Sequence, residues 1–397
     1  MDISRLISDR ARGVEPSGIR RVYDLAAGLK DPINLTIGQP DFPVPGPMKR
    51  AATAAIESDR NGYTPTWGIL PLREAIARRF SAEMGWPVDA RWRPEAPPES
   101  PTVVVTSGTA GALWTTFLAV VGPGDEVIFA DPYFVLYPQL CNALGARAVK
   151  VDTYPDFRLT AERVEPHLTE RTKLVLLNSP GNPSGAVLSQ AECRELLALC
   201  AARNVLLVSD ELYDEFTYPE AREPTSIGAK CPSPGRVRGS HQQMLIIRGF
   251  GKTYGCTGWR LGYAVGPRPL LEEMTKLQQH LYICAPAPLQ WGACAALDYE
   301  MSSLVENYRR RRDLVIDGLR DLTEVNVPGG AFYAFPRVPA RLGLTASEFL
   351  DRCVAQNVLI VPGGAFSARD THFRLSYATD ETRLARGVEI IAGLMRG

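Results

Sequence analysis

Short apolar, β-branched runs recur through the middle of the chain. They are Thr102–Thr106, Val127–Ala130, Ala146–Val151, Lys173–Asn178, Val205–Ser209 and Met244–Ile247. Each is bounded by turn residues and separated from the next by room for a helix, and continuous apolar runs of this length read as strands buried on both faces. The alternation predicts a largely parallel sheet covered by helices, an α/β architecture. Before it, Ile33–Ile37 reads as a short strand, and helices are expected over 46–58 and from Leu70 to about Met84. A short helix is expected near Ser17-Gly18-Ile19-Arg20-Arg21-Val22, following an N-terminal arm. Residues 86–101 and 217–242, rich in Pro, Gly and charge, read as loops. A helical pattern over about 301–320 leads into a second unit. That unit has short strands near Val325, Phe332, Ile360 and Phe373 and helices near 346–356 and 380–394. The expected division is a large domain over 46–300, with 1–45 and 301–397 forming an arm and a smaller α/β domain.

Composition narrows the function. The 397 residues carry 44 basic and 44 acidic side chains, so no global field draws nucleic acid or an anionic membrane to the chain. No apolar run is long enough to span a bilayer, and Met1-Asp2-Ile3-Ser4-Arg5 has no signal-like apolar region. The eight cysteines are scattered without a C-x-x-C pair, which favours a reducing, cytoplasmic setting over a disulfide framework or metal cage. The four histidines show no metal-ligand spacing. Arg309–Arg312 forms the one dense basic run, read as a solvated helix face.

Chemistry concentrates in Leu245–Tyr263. An apolar strand there breaks into Gly249-Phe250-Gly251-Lys252-Thr253-Tyr254-Gly255-Cys256-Thr257-Gly258-Trp259-Arg260. Glycines at this density let the backbone turn tightly and approach a ligand closely. A lysine on such a turn beside a buried strand is placed to be desolvated, and desolvation makes it a nucleophile toward carbonyls. Gly251-Lys252-Thr253 also looks like the end of a phosphate-binding P-loop. That pattern needs a glycine where this chain has Ile246, inside the strand. A surface turn with a solvated lysine is the plain alternative.

The segment Gly249-x-Gly251-Lys252-x-x-Gly255-x-x-Gly258-x-Arg260-Leu261-Gly262 resembles the lysine site of class I/II pyridoxal-phosphate-dependent aminotransferases. Other segments fit the same family in order. Asn178-Ser179-Pro180-Gly181-Asn182-Pro183-Ser184-Gly185 resembles its N-x-P-x-N-P-[TS]-G loop. Asp210-Glu211-Leu212-Tyr213, Asp131-Pro132-Tyr133-Phe134, Gly330-Ala331-Phe332-Tyr333 and the Arg374 strand also match. The likeness runs from about Ile33 to about Thr379. It implies fold type I, the aspartate-aminotransferase type, acting as a homodimer.

On that resemblance Lys252 forms a Schiff base with pyridoxal 5'-phosphate and later carries the substrate proton. Asp210 keeps the pyridine nitrogen protonated; a capping or salt-bridge role is the ordinary fate of such an aspartate. Tyr213 and Asn182 reach the phenolic oxygen, and Phe134 stacks on the ring, although each is equally at home in a core or a turn. Gly108, Thr109 and Ala110, at a helix start suited to phosphate, grip the phosphate with Arg260 and with Tyr63 from the neighbouring subunit. Arg248 is a further candidate there. Arg374, with Gly38, holds the substrate α-carboxylate.

The implied reaction moves an amino group from an L-amino acid to a 2-oxo acid, such as 2-oxoglutarate or pyruvate, by a ping-pong route. A β-lyase or synthase on the same fold uses the same residues, and a P-loop NTPase or a non-catalytic sensor is the rival from another class. Leu281–Pro288, aligned with a stretch that carries an arginine in some relatives, has no basic residue. A mostly neutral pocket for uncharged donors is therefore expected, with Arg20 the nearest candidate to meet a distal carboxylate.

Overall fold

The computed structural model describes residues 1–397 except 17, 19–21, 23–27, 94 and 98. The helix expected near Ser17–Val22, and Arg20 with it, lies outside the described residues apart from Gly18 and Val22. The described residues form twelve strands in chain order: β1 (Ile33–Asn34), β2 (Pro101–Thr106), β3 (Glu126–Asp131), β4 (Arg147–Asp152), β5 (Thr172–Asn178), β6 (Leu206–Asp210), β7 (Met244–Gly249), β8 (Gly262–Pro267), β9 (Tyr333–Ala334), β10 (Val358–Leu359), β11 (Val361–Pro362) and β12 (Phe373–Ser376).

Strands β2 to β8 form one seven-stranded sheet in the order β2-β8-β7-β6-β5-β3-β4. The pairs β4·β3, β3·β5, β5·β6 and β6·β7 are parallel, whereas β8 runs antiparallel to both β7 and β2. Successive side chains of a strand point to opposite faces, and both faces here are buried. Val103 and Val105 join one core cluster and Val104 the other; Met244 and Ile246 oppose Leu245 and Ile247 in the same way. That two-sided demand is why the sequence reads as unbroken apolar runs rather than as an alternation.

Local signals set the helix ends. Leu70–Met84 carries a proline in its first turn and ends at Gly85 in the left-handed region. Gln190–Ala202 and Ala346–Ala355 each start with a reciprocal capping box, Ser189 with Glu192 and Thr345 with Glu348. Two small sheets accompany the large one: β1 pairs in parallel with β10, and β11-β12-β9 is antiparallel. Among the described residues no helix is long and apolar enough to cross a membrane.

The strand expected over Ile33–Ile37 stops at Asn34. The Thr36 N–H turns to the Asn34 side-chain oxygen (3.0 Å), and the Thr36 carbonyl accepts from Arg374 (2.9 Å). No strand forms at Val325: Val327 is exposed, and Pro328 has no N–H to give to a ladder. Strand β8 and the helices Arg268–Leu281 and Ala287–Cys294 were not expected.

Arg248 is also corrected. Its side chain points away from any phosphate and is 2% exposed within β7. It pairs with Glu83 (2.8 and 2.9 Å), Glu211 (2.9 Å) and Asp214 (3.0 Å). Burial alone would raise the Glu83 carboxyl, but Arg248, helped by Arg236, holds it at about 2. The network ties the helix Leu70–Met84 to the ends of β6 and β7. Replacing Arg248 with Met takes the shared cation from three buried carboxylates and leaves Glu83 only its weaker contact with Arg236. The expected loss is about 3–5 kcal/mol, read from chemical denaturation beside the wild type. A loss under about 1 kcal/mol, the scale of a solvated pair, would contradict it.

Candidate active site

A cavity of about 820 Å³ opens where β5, β6 and β7 end at their carboxyl sides, facing the small β11-β12-β9 sheet. Ligand sites of open α/β sheets gather at such strand ends. Strand β7 ends at Gly249, and the short helix Phe250–Thr253 carries Lys252 into the cavity. The lysine amine donates to the carbonyl of Gly38. Burial, with Arg374 and then Arg260 nearby, lowers its pKa to about 8. Gly255 lets the chain turn back, with φ +64° and no room for a Cβ, which would sit 2.7 Å from the Phe42 carbonyl.

Asp210 ends β6 and is 3% exposed. Its carboxyl accepts from the Tyr137 hydroxyl (2.8 Å) and the Leu212 N–H (3.3 Å). Burial raises it to about 6, and these two donors pull the other way without cancelling that rise. Asn178, at the end of β5, donates to the Asp210 carbonyl (3.0 Å) and accepts from the Asn182 N–H (2.9 Å), so the turn after β5 is pinned to β6.

Arg374 comes from β12 and is 1% exposed. It donates to the Asn182 side-chain oxygen (3.0 Å) and lies 4.5 Å over the Tyr333 ring and 4.8 Å over Phe366. The Tyr333 hydroxyl is 3.1 Å from that of buried Tyr213. A Cβ on Gly38 would approach the Tyr333 hydroxyl to 3.1 Å, so a bare backbone suits that position.

At the opposite wall the helix Gly108–Val120 begins with no side-chain cap from Ser107. Its first-turn N–H groups and its positive dipole end therefore remain available to an anion. A Cβ on Gly108 would lie 2.7 Å from the Arg260 guanidinium, which also donates to the Thr257 carbonyl (3.1 Å). Gly262 of β8 lets this helix start come close, because a Cβ there would lie 2.7 Å from the Gly108 carbonyl carbon and the Thr109 nitrogen.

Of the residues singled out from the sequence, Gly38, Gly108, Thr109, Ala110, Phe134, Asn182, Asp210, Tyr213, Lys252, Arg260 and Arg374 all line this one cavity. Tyr63 does not; it is 83% exposed on the single chain. Tyr137, Tyr333 and Asn178 were not assigned roles from the sequence. The two phenols lie far along the chain from their partners, and no spacing signals those contacts; Asn178 opened a motif already in view.

The family model for aminotransferase class I and II matches residues 30–391. The chain belongs to this family. A putative aminotransferase of Bacillus subtilis (strain 168) is 36% identical over 386 residues, covering 95% of each chain. The aspartate/prephenate aminotransferase of Thermus thermophilus is 35% identical over 408 residues, covering 98% of this chain and 99% of that one. The solved aspartate aminotransferase of Thermus thermophilus with maleate superposes with a TM-score of 0.87, at 35% identity and 98% and 99% coverage. The chain is thus a transaminating enzyme of fold type I. Enzymes of this family generally depend on pyridoxal phosphate. The donor set of this aminotransferase fits such a group: an uncapped helix start beside Arg260 for a phosphate, a buried carboxylate for a cationic ring nitrogen, and a largely deprotonable amine for an aldehyde.

The raised Asp210 pKa has a measurable sign. Between about pH 4 and 6 the unfolded chain loses this proton before the cofactor-free folded chain does. The group's stabilising contribution is thus complete below about 4 and falls as pH rises to about 6. Asp210→Asn removes that dependence. Cofactor-free Asp210→Asn should match or trail the wild type at pH 4 and exceed it at pH 7, by on the order of 3 kcal/mol for a shift of about two units. Parallel stability curves for the two proteins would refute the burial argument.

Proposed function

We propose that this aminotransferase binds pyridoxal 5'-phosphate in the 820 Å³ cavity and transfers the amino group of an L-amino acid with an uncharged side chain to a 2-oxo acid. The observation that carries the reading is Lys252. Its amine is lowered to about 8 and shares one cavity with the buried Asp210 carboxyl and the Arg374 guanidinium. When bound, the cofactor supplies an aldehyde to receive the amine and an electron sink for the carbanion at the substrate Cα.

Lys252 is the amine that would hold the aldehyde. The same amine, when free, would be the base for the substrate Cα proton, and a pKa of about 8 leaves a useful neutral fraction near neutrality. Asp210 would keep a proton on the ring nitrogen, and Tyr137, donating to its carboxyl, fixes its orientation. Asn182 and Tyr213 would serve the phenolic oxygen. The Asn182 side-chain oxygen is committed to Arg374, which leaves its NH₂ to donate. Phe134 would cover the ring. Arg374 would take the α-carboxylate near the Gly38 backbone, as a planar fork pre-set by Asn182 and Thr36. The N–H groups of Gly108, Thr109 and Ala110, with Arg260, would take the phosphate. In a homodimer the partner's Tyr63 would join them, a reading that suits an aromatic side chain left exposed on one chain. The same reading divides the chain into a large domain over 46–300 and a smaller unit from 1–45 and 301–397, and sets the enzyme in the cytoplasm.

Charge supports the donor class. Lys252, Arg260 and Arg374 are the cations among the described cavity residues, and each already has a task. The remaining wall offers Val14, Leu113, Trp114, Leu136 and one carboxylate, Glu15, whose N–H is fastened to the Gln139 side chain (2.8 Å). A donor with a second carboxylate would meet Glu15 rather than a cation, and an unpaired charge in such a site is costly.

Two measurements test the proposal. Purified enzyme should be yellow and bleach when mixed with an amino donor, whereas Lys252→Ala should hold the cofactor only reversibly and give no turnover; full transamination by that variant without added amine would sink the proposal. In single half-reactions the wild type should favour an apolar donor over aspartate. Glu15→Arg should raise kcat/KM for aspartate roughly ten- to hundredfold, the scale of one charge-assisted contact. A wild-type preference for aspartate would overturn the uncharged-donor reading.

A further inference from the structure

A second pocket, of about 340 Å³, shares no lining residue with the cavity described above. Its frame is the first turn of the helix Gln190–Ala202 and the turn Pro234–Arg236 with the residues that follow. The two are clasped together. The Gln190 side chain donates to the Ser233 carbonyl (2.8 Å) and accepts from the Ser233 N–H (3.1 Å). Gln190 and Arg194 stand four residues apart on one face of the helix, and Arg194 lines the pocket together with Arg236 and Arg238.

All three arginines line this pocket, against one carboxylate, Glu223. Arg194 and Arg238 are exposed and, among the described residues, neither makes an ion pair. Arg236 differs: its side chain is only 10% exposed. Its Nε and Nη1 are buried with no hydrogen-bond partner, and Nη2 reaches Glu83 only at 3.5 Å. Glu83 is already held by Arg248 at 2.8 and 2.9 Å, so Arg236 has the weaker share of that carboxylate. A buried guanidinium with idle N–H groups is expensive, and drawing two further cations toward it adds repulsion. The arrangement is balanced when an anion with several charged oxygens lies among the three forks.

We propose that this pocket binds a small polyanion through Arg194, Arg236 and Arg238, separately from the cofactor and substrates. Phosphoryl and carboxylate oxygens both match the guanidinium forks. Pyrophosphate and citrate are therefore the two probes, each titrated calorimetrically into the cofactor-loaded enzyme at low salt. The comparison protein carries Arg194→Gln and Arg238→Gln together, two exposed changes outside the folded core, checked for unchanged transaminase activity. The wild type should bind at least one probe in a single site per chain, with affinity that falls as salt rises. The double variant should bind it roughly ten- to hundredfold more weakly. Whichever probe binds names the source of the oxygens. Absence of binding by both probes, or equal affinity in the wild type and the double variant, would overturn the proposal.

Discussion

Lys252 shares its cavity with buried Arg374 and exposed Arg260, and the cost of burying an ammonium, with the repulsion from the two guanidiniums, is relieved when the lysine gives up its proton. Neither guanidinium can do so, and burial already disfavours the ammonium. The readiness of this amine to be neutral is therefore a product of burial first and of where the arginines stand second. Their positions come from separate parts of the chain. Arg374 is delivered by β12 and held by Asn182 and Thr36, while Arg260 is delivered by the turn before β8. The sheet ends, the small sheet and the helix start must all be in register before the lysine has its chemistry.

Much of this was legible in the sequence because it rests on local rules. Buried parallel strands write themselves as apolar runs, and the residues that end them, Asn178, Asp210 and Gly249, fall where such runs stop. Strand β8 was hidden for a physical reason. Gly262 and Gly266 are there for close approach, and Pro267 closes the strand, so the segment carries the residues of a turn. Arg248 was misread although its parity was available: it lies two positions after Ile246 and so shares that residue's face, opposite Ile247. The phenols of Tyr137 and Tyr333 left no trace, since their partners are fixed by tertiary packing alone.

Likeness to aspartate, aromatic and prephenate aminotransferases over nearly the whole chain settles the fold and the kind of reaction. It does not choose the donor, because a pocket's preference depends on a few side chains at the wall away from the strand ends. In this chain that wall includes Val14, Leu113, Trp114 and Leu136 beside Glu15 and Gln139, and the arm that carries Glu15 is tied to the helix Leu136–Leu144 through Gln139 and through Asn142 and the Gly13 carbonyl. The side chain proposed to set the donor preference thus stands on a segment held to that helix by these two contacts.

The lysine-bearing turn is the connection of a hairpin. Strands β7 and β8 pair at Gly249 and Gly262, and the Phe250 N–H reaches the Leu261 carbonyl just beyond. Everything from 250 to 261 is therefore a connection whose ends are zipped shut between the second and third strands of the large sheet. The entropy of closing that loop is lost once, on folding, and the catalytic cycle never asks for it again. If Lys252 serves as proposed, holding the cofactor's aldehyde and moving the substrate proton would ask only the four-carbon stem of its side chain to travel. On that reading the amine could leave and return at every turnover while its frame stays still.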